Sequence, residues 1–195
     1  MSSTRTRLLL AAATLLSGIL AGSIVDRVII GGPAWHELGA EAWATYSRHA
    51  DLGNGLVAYP IEAIGGALLI IAASVSNYFD RGANSPATIP LYCAVVLSLA
   101  GLALTVKAAP IMLGLAVPQS PAATQRAFDE FFLWGLYLRG ATVVLTFVAV
   151  TWSLTGLTRE PRDTPAGPAI ATDTNVRTGT SVGAVSARHS LRPPL

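Results

Sequence analysis

Two ionisable residues stand inside long apolar stretches of this sequence. Glu62 lies ten residues into the stretch 52–79, and Arg139 lies eleven residues into the stretch 128–157. A charge near the centre of a membrane-spanning helix costs about 2.5 to 3.5 kcal/mol on insertion scales, so such residues usually bind a partner, a ligand or a proton. Glu62 and Arg139 are therefore the first candidates for a site that performs chemistry.

The spacing predicts that these two residues meet. With a rise of about 1.5 Å per residue, both lie roughly 15 to 17 Å from the same end of their helices. We predict that Glu62 and Arg139 form an ion pair inside a helix bundle, where neutralisation and hydrogen bonding offset desolvation. Such a pair has two interpretations: a functional site, or a buried contact that only fixes the register of two helices.

A second polar group is predicted near one end of the same helices. Asp26 and Arg27 lie near the end of the first apolar stretch, Lys107 lies near the end of the third, and His49 and Asp51 precede the second. Together they predict a polar cavity that opens away from the cytoplasm. The alternative for Asp26, Arg27 and Lys107 is that their side chains extend to the membrane interface.

Apolar helices are the elements that must position these residues. The chain has 195 residues, of which 52% are hydrophobic and 12% are charged, whereas soluble domains carry about 25% charged residues. A helix needs about 20 mostly apolar residues to cross a bilayer. The sequence therefore predicts an all-α, four-helix transmembrane bundle with spans at 8–30, 52–79, 89–112 and 128–157.

Basic residues indicate the orientation of the bundle. They are more numerous on the side of the N-terminus than on the opposite side, which predicts a cytoplasmic N-terminus and C-terminus. We expect a multi-pass protein of a bacterial plasma membrane. The net charge of +2 is scattered rather than clustered, so the lipid bilayer is the expected partner and nucleic acid is not.

Both ends of the chain and one loop carry further signals. The first apolar stretch begins like a secretory signal peptide, but apolarity resumes at Val28, so we expect a retained helix rather than a cleaved one. The segment 31–51 contains Trp35 and Trp43, which predicts a short helix at the membrane interface or, alternatively, a cap over a pocket. The tail 158–195 is rich in Pro, Ser, Thr and Gly and is predicted to be disordered.

The cysteine and histidine content limits the cofactors. Cys93 is the single cysteine, which excludes an intramolecular disulfide and paired-thiol redox chemistry. His36 and His49 lie in the first loop and His189 lies in the tail, so an axial haem ligand inside a span is not expected. A metal site from the first-loop histidines and acids matches no strong spacing signature, and we predict neither a metal nor a cofactor.

Several short motifs resemble the anthrone oxygenase-like family of small four-helix membrane proteins, most of which are uncharacterised bacterial proteins. The resemblance covers about Leu8 to Leu157 and implies a four-helix membrane fold. For the characterised fungal members it implies oxidation of a polycyclic phenolic anthrone by dioxygen to a quinone, without an obvious cofactor motif. The motifs are Pro33-Ala34-Trp35, Trp43 to Arg48, Asp51, Tyr59-Pro60, Ala109-Pro110-Ile111, Phe132-Leu133-Trp134 and Leu138-Arg139-Gly140.

The chemistry implied by this resemblance assigns possible roles. A base must remove a proton from the activated methylene, a cation must stabilise the resulting oxyanion, and an apolar pocket must hold flat rings. The base is His49 or Glu62, with His49 preferred because a carboxylate paired with arginine is a poor proton acceptor. Arg139 is the expected oxyanion partner. The expected substrate-binding residues are Asp26, Trp35, Trp43, Tyr59, Lys107 and Trp134.

A non-catalytic role is the alternative function. A small-molecule carrier or an accessory subunit would need the Glu62–Arg139 pair only to hold the bundle together. The two functions predict different surroundings, because an enzyme should bring His49, Glu62 and Arg139 together at a cavity of at least about 300 Å³. A structural bundle should instead pack closely around the pair. The sequence does not fix the oligomeric state.

Overall fold

The computed structural model describes residues 4–81 and 87–159, and every regular element within these ranges is helical. Four of the helices are long and apolar enough to cross a membrane, as predicted for the bundle. The part of the tail from residue 160 onward lies outside the described residues, and so does its predicted disorder. The four helices are α1 (Thr4–Leu38), α2 (Ala40–Asp80), α3 (Thr88–Gly114) and α4 (Pro121–Leu157).

The helices form a ring in which neighbours in sequence are neighbours in space. α1 packs against α2 and α4, and α3 packs against the same two helices. Small residues allow the close approaches that stabilise helix packing in lipid. A Cβ atom added at Gly140 on α4 would lie 2.8 Å from Ile24 on α1, and one at Gly101 on α3 would lie 3.0 Å from Thr142 on α4.

Short signals determine where the helices begin and end. Gly39, with φ of 89°, separates α1 from α2, and this left-handed conformation favours glycine. Helix α4 begins before its apolar stretch because Ser120 accepts a hydrogen bond from the amide of Ala123, and Pro121 occupies the first turn. Within α2, Gly53 departs from helical geometry and produces a kink. Because α1 continues to Leu38 and α2 begins at Ala40, the segment 31–51 is almost entirely helical.

Turns of π-helix interrupt three of the long helices. They lie in the second half of α1, in the first half and at the middle of α2, and in the first half of α4, so they are concentrated in one half of the bundle. Turns of this kind occur often at functional sites because they displace side chains from the regular helical register. The π-helical turns are Arg27–Gly31, Ala50–Asn54, Ile61–Gly65 and Phe132–Leu138.

The opposite end of the bundle is the regular, closely packed end. Its core contains fully buried Leu10, Ile70, Leu91 and Val150, contributed one by each helix. The outward faces of the helices remain apolar: Ile89 and Val106 are each 76% exposed. Exposed apolar surface of this extent is what a bilayer covers, which agrees with the membrane assignment.

Candidate functional site

A hydrogen-bonded network joins α1 to α2 at the end that carries the π-helical turns. Arg27 Nη2 donates to Asp51 Oδ1 and to the Tyr59 hydroxyl, and that hydroxyl donates to Asp51 Oδ1 at 3.0 Å. The Arg27 guanidinium carbon also lies 5.1 Å from the centre of the Tyr59 ring, within the range of a cation–π contact. The Asp51 side chain is only 3% exposed, so the network holds two opposite charges largely out of solvent.

Arg139 on α4 is held differently. Its Nε donates to Thr105 Oγ1 on α3 at 2.8 Å, and the Thr105 hydroxyl donates in turn to the Gly101 carbonyl at 2.9 Å. Within residues 4–81 and 87–159, no carboxylate oxygen lies within 4.0 Å of the Arg139 guanidinium. Among the described residues, Arg139 is therefore a partly buried cation whose charge is not neutralised by an ion pair.

A large cavity of about 710 Å³ lies between these groups and is lined by all four helices. Its polar lining includes Arg27, Asp51, Tyr59, Thr105 and Arg139, while most of the remaining wall is aliphatic. Ligand pockets in proteins are typically about 300 to 1,000 Å³, mainly apolar, with a few polar groups that orient the ligand. The large cavity has both properties.

A small cavity of about 40 Å³ lies deeper in the bundle. Thr105 and Arg139 line both cavities, so the two are neighbours. A cavity holds a water molecule when it exceeds about 10 to 15 Å³ and offers polar partners, and the small cavity meets both conditions. Its further polar lining residues are Ser17, Glu62, Ser98, Thr142 and Thr146.

The predicted Glu62–Arg139 ion pair is wrong. Both residues line the small cavity, but the ion pair at this end of the described chain joins Arg27 and Asp51 instead. Glu62 Oε2 is buried and has no hydrogen-bond partner in the described ranges. Equal depth in the bundle therefore brought Glu62 and Arg139 to one cavity without bringing their charges into contact.

Three other predicted site residues lie elsewhere. Asp26, Lys107 and His49 are exposed, and none of them lines the large or the small cavity. The Nδ1 atom of His49 lies 2.8 Å from the carbonyl oxygen of Thr45, one helical turn earlier. The expectation that His49 meets Glu62 and Arg139 at a cavity is wrong. Arg27 and Asp51, also predicted for the polar cavity, do line it.

Two tryptophans that were predicted to bind the substrate, Trp35 and Trp43, belong instead to a separate aromatic cluster. The cluster is formed mainly by Trp35, Trp43, Phe128 and Phe132. Trp43 is fully buried, and its ring lies edge-on to Phe128 with the ring centres 5.4 Å apart. Neither tryptophan lines the large or the small cavity, and neither does Trp134. Packing against other rings buries the large apolar surface of Trp35 and Trp43. Tyr59 is the one predicted aromatic residue that lines the large cavity.

Sequence reasoning missed Thr105 and the aliphatic walls. Thr105 fixes Arg139 by a hydrogen bond, and the signal available for it was a hydroxyl inside an apolar span. The walls carry no signal of their own, because a helix that is apolar on every side does not reveal which face lines a cavity.

Comparisons with known proteins leave the site to be interpreted from its own geometry. No family model, no curated protein and no solved structure matches this chain. In the ranges that the structure describes, no three His, Cys, Asp or Glu side chains are grouped as metal ligands. The group of His36, Glu37, His49 and Asp51 is accordingly not assembled; His36 stacks on Phe132 with the ring centres 4.7 Å apart.

Proposed function

We propose that this protein binds a lipophilic aromatic molecule in the large cavity and oxidises it with dioxygen. The observation that carries the proposal is a largely apolar cavity of about 710 Å³ with a cation in its wall, Arg139, that forms no ion pair with any of the described residues. A flat apolar molecule fits such a wall, and a phenolate or enolate oxygen accepts charge-assisted hydrogen bonds from a guanidinium. The resemblance to anthrone oxygenase-like proteins supports the same class of substrate.

The proposed reaction consumes only the substrate and dioxygen, and it needs a base and a cation from the protein. A base removes one proton from a methylene group that the neighbouring rings and carbonyl activate, and the carbanion charge is delocalised onto the carbonyl oxygen. Dioxygen accepts the electrons and forms a carbon–oxygen bond, and the product takes up the proton as a hydroperoxide. Loss of water, with the second methylene hydrogen, leaves a new carbonyl group. One dioxygen is consumed and one water is formed for each methylene oxidised.

We assign Arg139 to stabilise the anion that the substrate forms when it loses its proton. Arg139 lines the large cavity, its guanidinium is oriented by Thr105, and it has no carboxylate neighbour within 4.0 Å in the described chain. A donor that is already oriented stabilises developing negative charge without reorganisation in the transition state. The charge of Arg27, by contrast, is compensated by Asp51.

Glu62 replaces His49 as the proposed proton acceptor. The preference for His49 depended on an ion pair between Glu62 and Arg139, and that pair is not formed. Glu62 lines the small cavity, which adjoins the large one through Thr105 and Arg139. In this proposal the proton reaches Glu62 through one water molecule in the small cavity, which is within the reach of general-base catalysis.

Oxygen consumption by the purified protein in detergent, with unsubstituted anthrone, tests the function. We expect uptake above the spontaneous rate for the wild type and for His49→Ala. Glu62→Gln should lose about 100-fold or more of the catalysed rate, which is the range of general-base catalysis. Loss of catalysed oxygen uptake in His49→Ala, with full activity in Glu62→Gln, would instead identify His49 as the proton acceptor.

The alternative function is the carrier or accessory role, in which the cavity binds a ligand without changing it. It predicts binding of anthrone but no oxygen uptake above the spontaneous rate. In either case we propose an N-terminus and a C-terminus on the cytoplasmic side of a bacterial plasma membrane, which is supported by the distribution of arginine and lysine residues.

A further inference from the structure

We infer that the large cavity receives its ligand sideways from the hydrocarbon of the bilayer, through an opening between α2 and α3. This inference rests on the proposed ligand cavity and adds the route and the physical state of the ligand. The ligand is a lipophilic acid or phenol that is dissolved in the membrane, and its ionisable oxygen reaches Arg139 after entry.

The wall of the large cavity is exposed on one side only. Every lining residue that is exposed belongs to α2 or α3, whereas those on α1 and α4 are buried or partly buried. The exposed lining residues, which we call the portal, are Leu56, Pro60 and Ile64 on α2, and Val106 and Leu113 on α3.

The portal is apolar and its residues are regularly spaced. Leu56, Pro60 and Ile64 are four residues apart and so share one face of α2. Val106, on the opposite side of the opening, is 76% exposed. An apolar rim of this kind in a membrane-spanning region faces lipid chains rather than water.

The end of the cavity nearest the helix ends is closed. The Arg27–Asp51–Tyr59 network lies across it, with Asp51 only 4% exposed. Behind the network, Leu52, Met112 and Phe131 line the cavity and also pack against the aromatic cluster. A ligand arriving from water would have to separate an ion pair and a packed set of rings, whereas a ligand in the bilayer meets only aliphatic side chains.

The position of the positive charge of Arg139, behind an apolar rim, is consistent with entry from the bilayer. A ligand entering through the portal crosses an apolar rim before it meets a cation at Arg139. A neutral, protonated acid or phenol is the form that dissolves in hydrocarbon, and the anion is the form that a guanidinium binds. The cavity therefore favours weak acids, which can exist in both forms, over permanently charged molecules.

Stopped-flow binding to the full chain in lipid vesicles tests the portal. The probe is 9-anthracenecarboxylic acid, followed by its own fluorescence. Val106→Phe places a larger side chain in the portal, and Val96→Phe is its matched control: the same substitution on the same helix, at a residue that is 66% exposed and lines neither cavity. Phe128→Ala loosens the aromatic cluster at the closed end.

An obstructed entrance slows entry and exit alike. We expect Val106→Phe to reduce the association rate by about tenfold and to reduce the dissociation rate as well. Val96→Phe and Phe128→Ala should bind at the wild-type rate.

Two results would overturn the portal while leaving the proposed function standing: wild-type rates in Val106→Phe, or faster association in Phe128→Ala, which would place the entrance at the closed end. A change in Kd with an unchanged association rate in Val106→Phe counts against the portal as well. Failure of the wild type to bind the probe would overturn the ligand cavity together with its entrance.

Discussion

Replacing Arg139 with methionine should reduce catalysed oxygen uptake by about 100-fold or more, the usual cost of losing an oriented donor to an oxyanion. Methionine matches the apolar part of the side chain and removes only the charge and the donors. Thr105 loses its donor, but no carboxylate in the described chain is left unpaired by the change, because none lies within 4.0 Å of Arg139. The variant should therefore fold.

The control for this variant is Lys107→Met. Lys107 lies on α3 close to Thr105, carries the same charge and is exposed, and it lines neither cavity. Oxygen uptake and binding of 9-anthracenecarboxylic acid should be unchanged by its removal. Equal losses in both variants would indicate a general effect of positive charge on substrate partitioning, and the assignment of the anion to Arg139 would fail.

The second large effect concerns stability at the Arg27–Asp51–Tyr59 network. Asp51→Ala leaves the buried guanidinium of Arg27 without its counter-ion, and removing one partner of a buried pair typically costs about 3 to 5 kcal/mol. We expect Arg27→Met to cost a similar amount. The double variant should recover part of the combined loss, because one uncompensated buried charge is worse than none.

Thermal or denaturant unfolding of the four proteins in detergent measures this coupling. Asp26→Ala is the matched control, since Asp26 precedes Arg27, is exposed and should change stability by no more than about 0.5 kcal/mol. Additive losses in Arg27→Met and Asp51→Ala would show that the two residues stabilise the fold independently, contrary to the pairing in the structure.

The apolar stretches were enough to predict four long helices, because an uninterrupted run of about 20 mostly apolar residues is typical of a membrane-spanning helix. They were not enough to predict which charges pair. Equal depth for Glu62 and Arg139 requires straight helices with a uniform rise, and α2 has a kink at Gly53 and two π-helical turns before Gly66. Depth also says nothing about the direction in which a side chain leaves its helix.

For Arg27 and Asp51, too, the sequence predicted a shared location but not the contact between the two side chains. Both were predicted to lie in one polar cavity, because the ends of two helices in sequence must be close together. Their pairing depends on the segment 32–49 folding as two helices around Gly39, which places Asp51 beside the end of α1. Trp43 shows how a ring typical of membrane interfaces can instead be fully buried, since the same amphipathic side chain serves either environment.

The π-helical turn Phe132–Leu138 lies immediately before Arg139. A π-helical turn accommodates one more residue than an α-helical turn, so shortening this segment by one residue would restore a regular helix. Each residue turns a regular α-helix by about 100°, so a residue removed from the regular first turns of α4 instead, with the π-helical turn kept, would swing Arg139 around the axis of α4, away from Thr105. The number of residues between Pro121 and Arg139 is thus as much a part of the site as the guanidinium itself. Comparing chains of this kind by residue identity alone would miss a loss of the site caused by a single deletion.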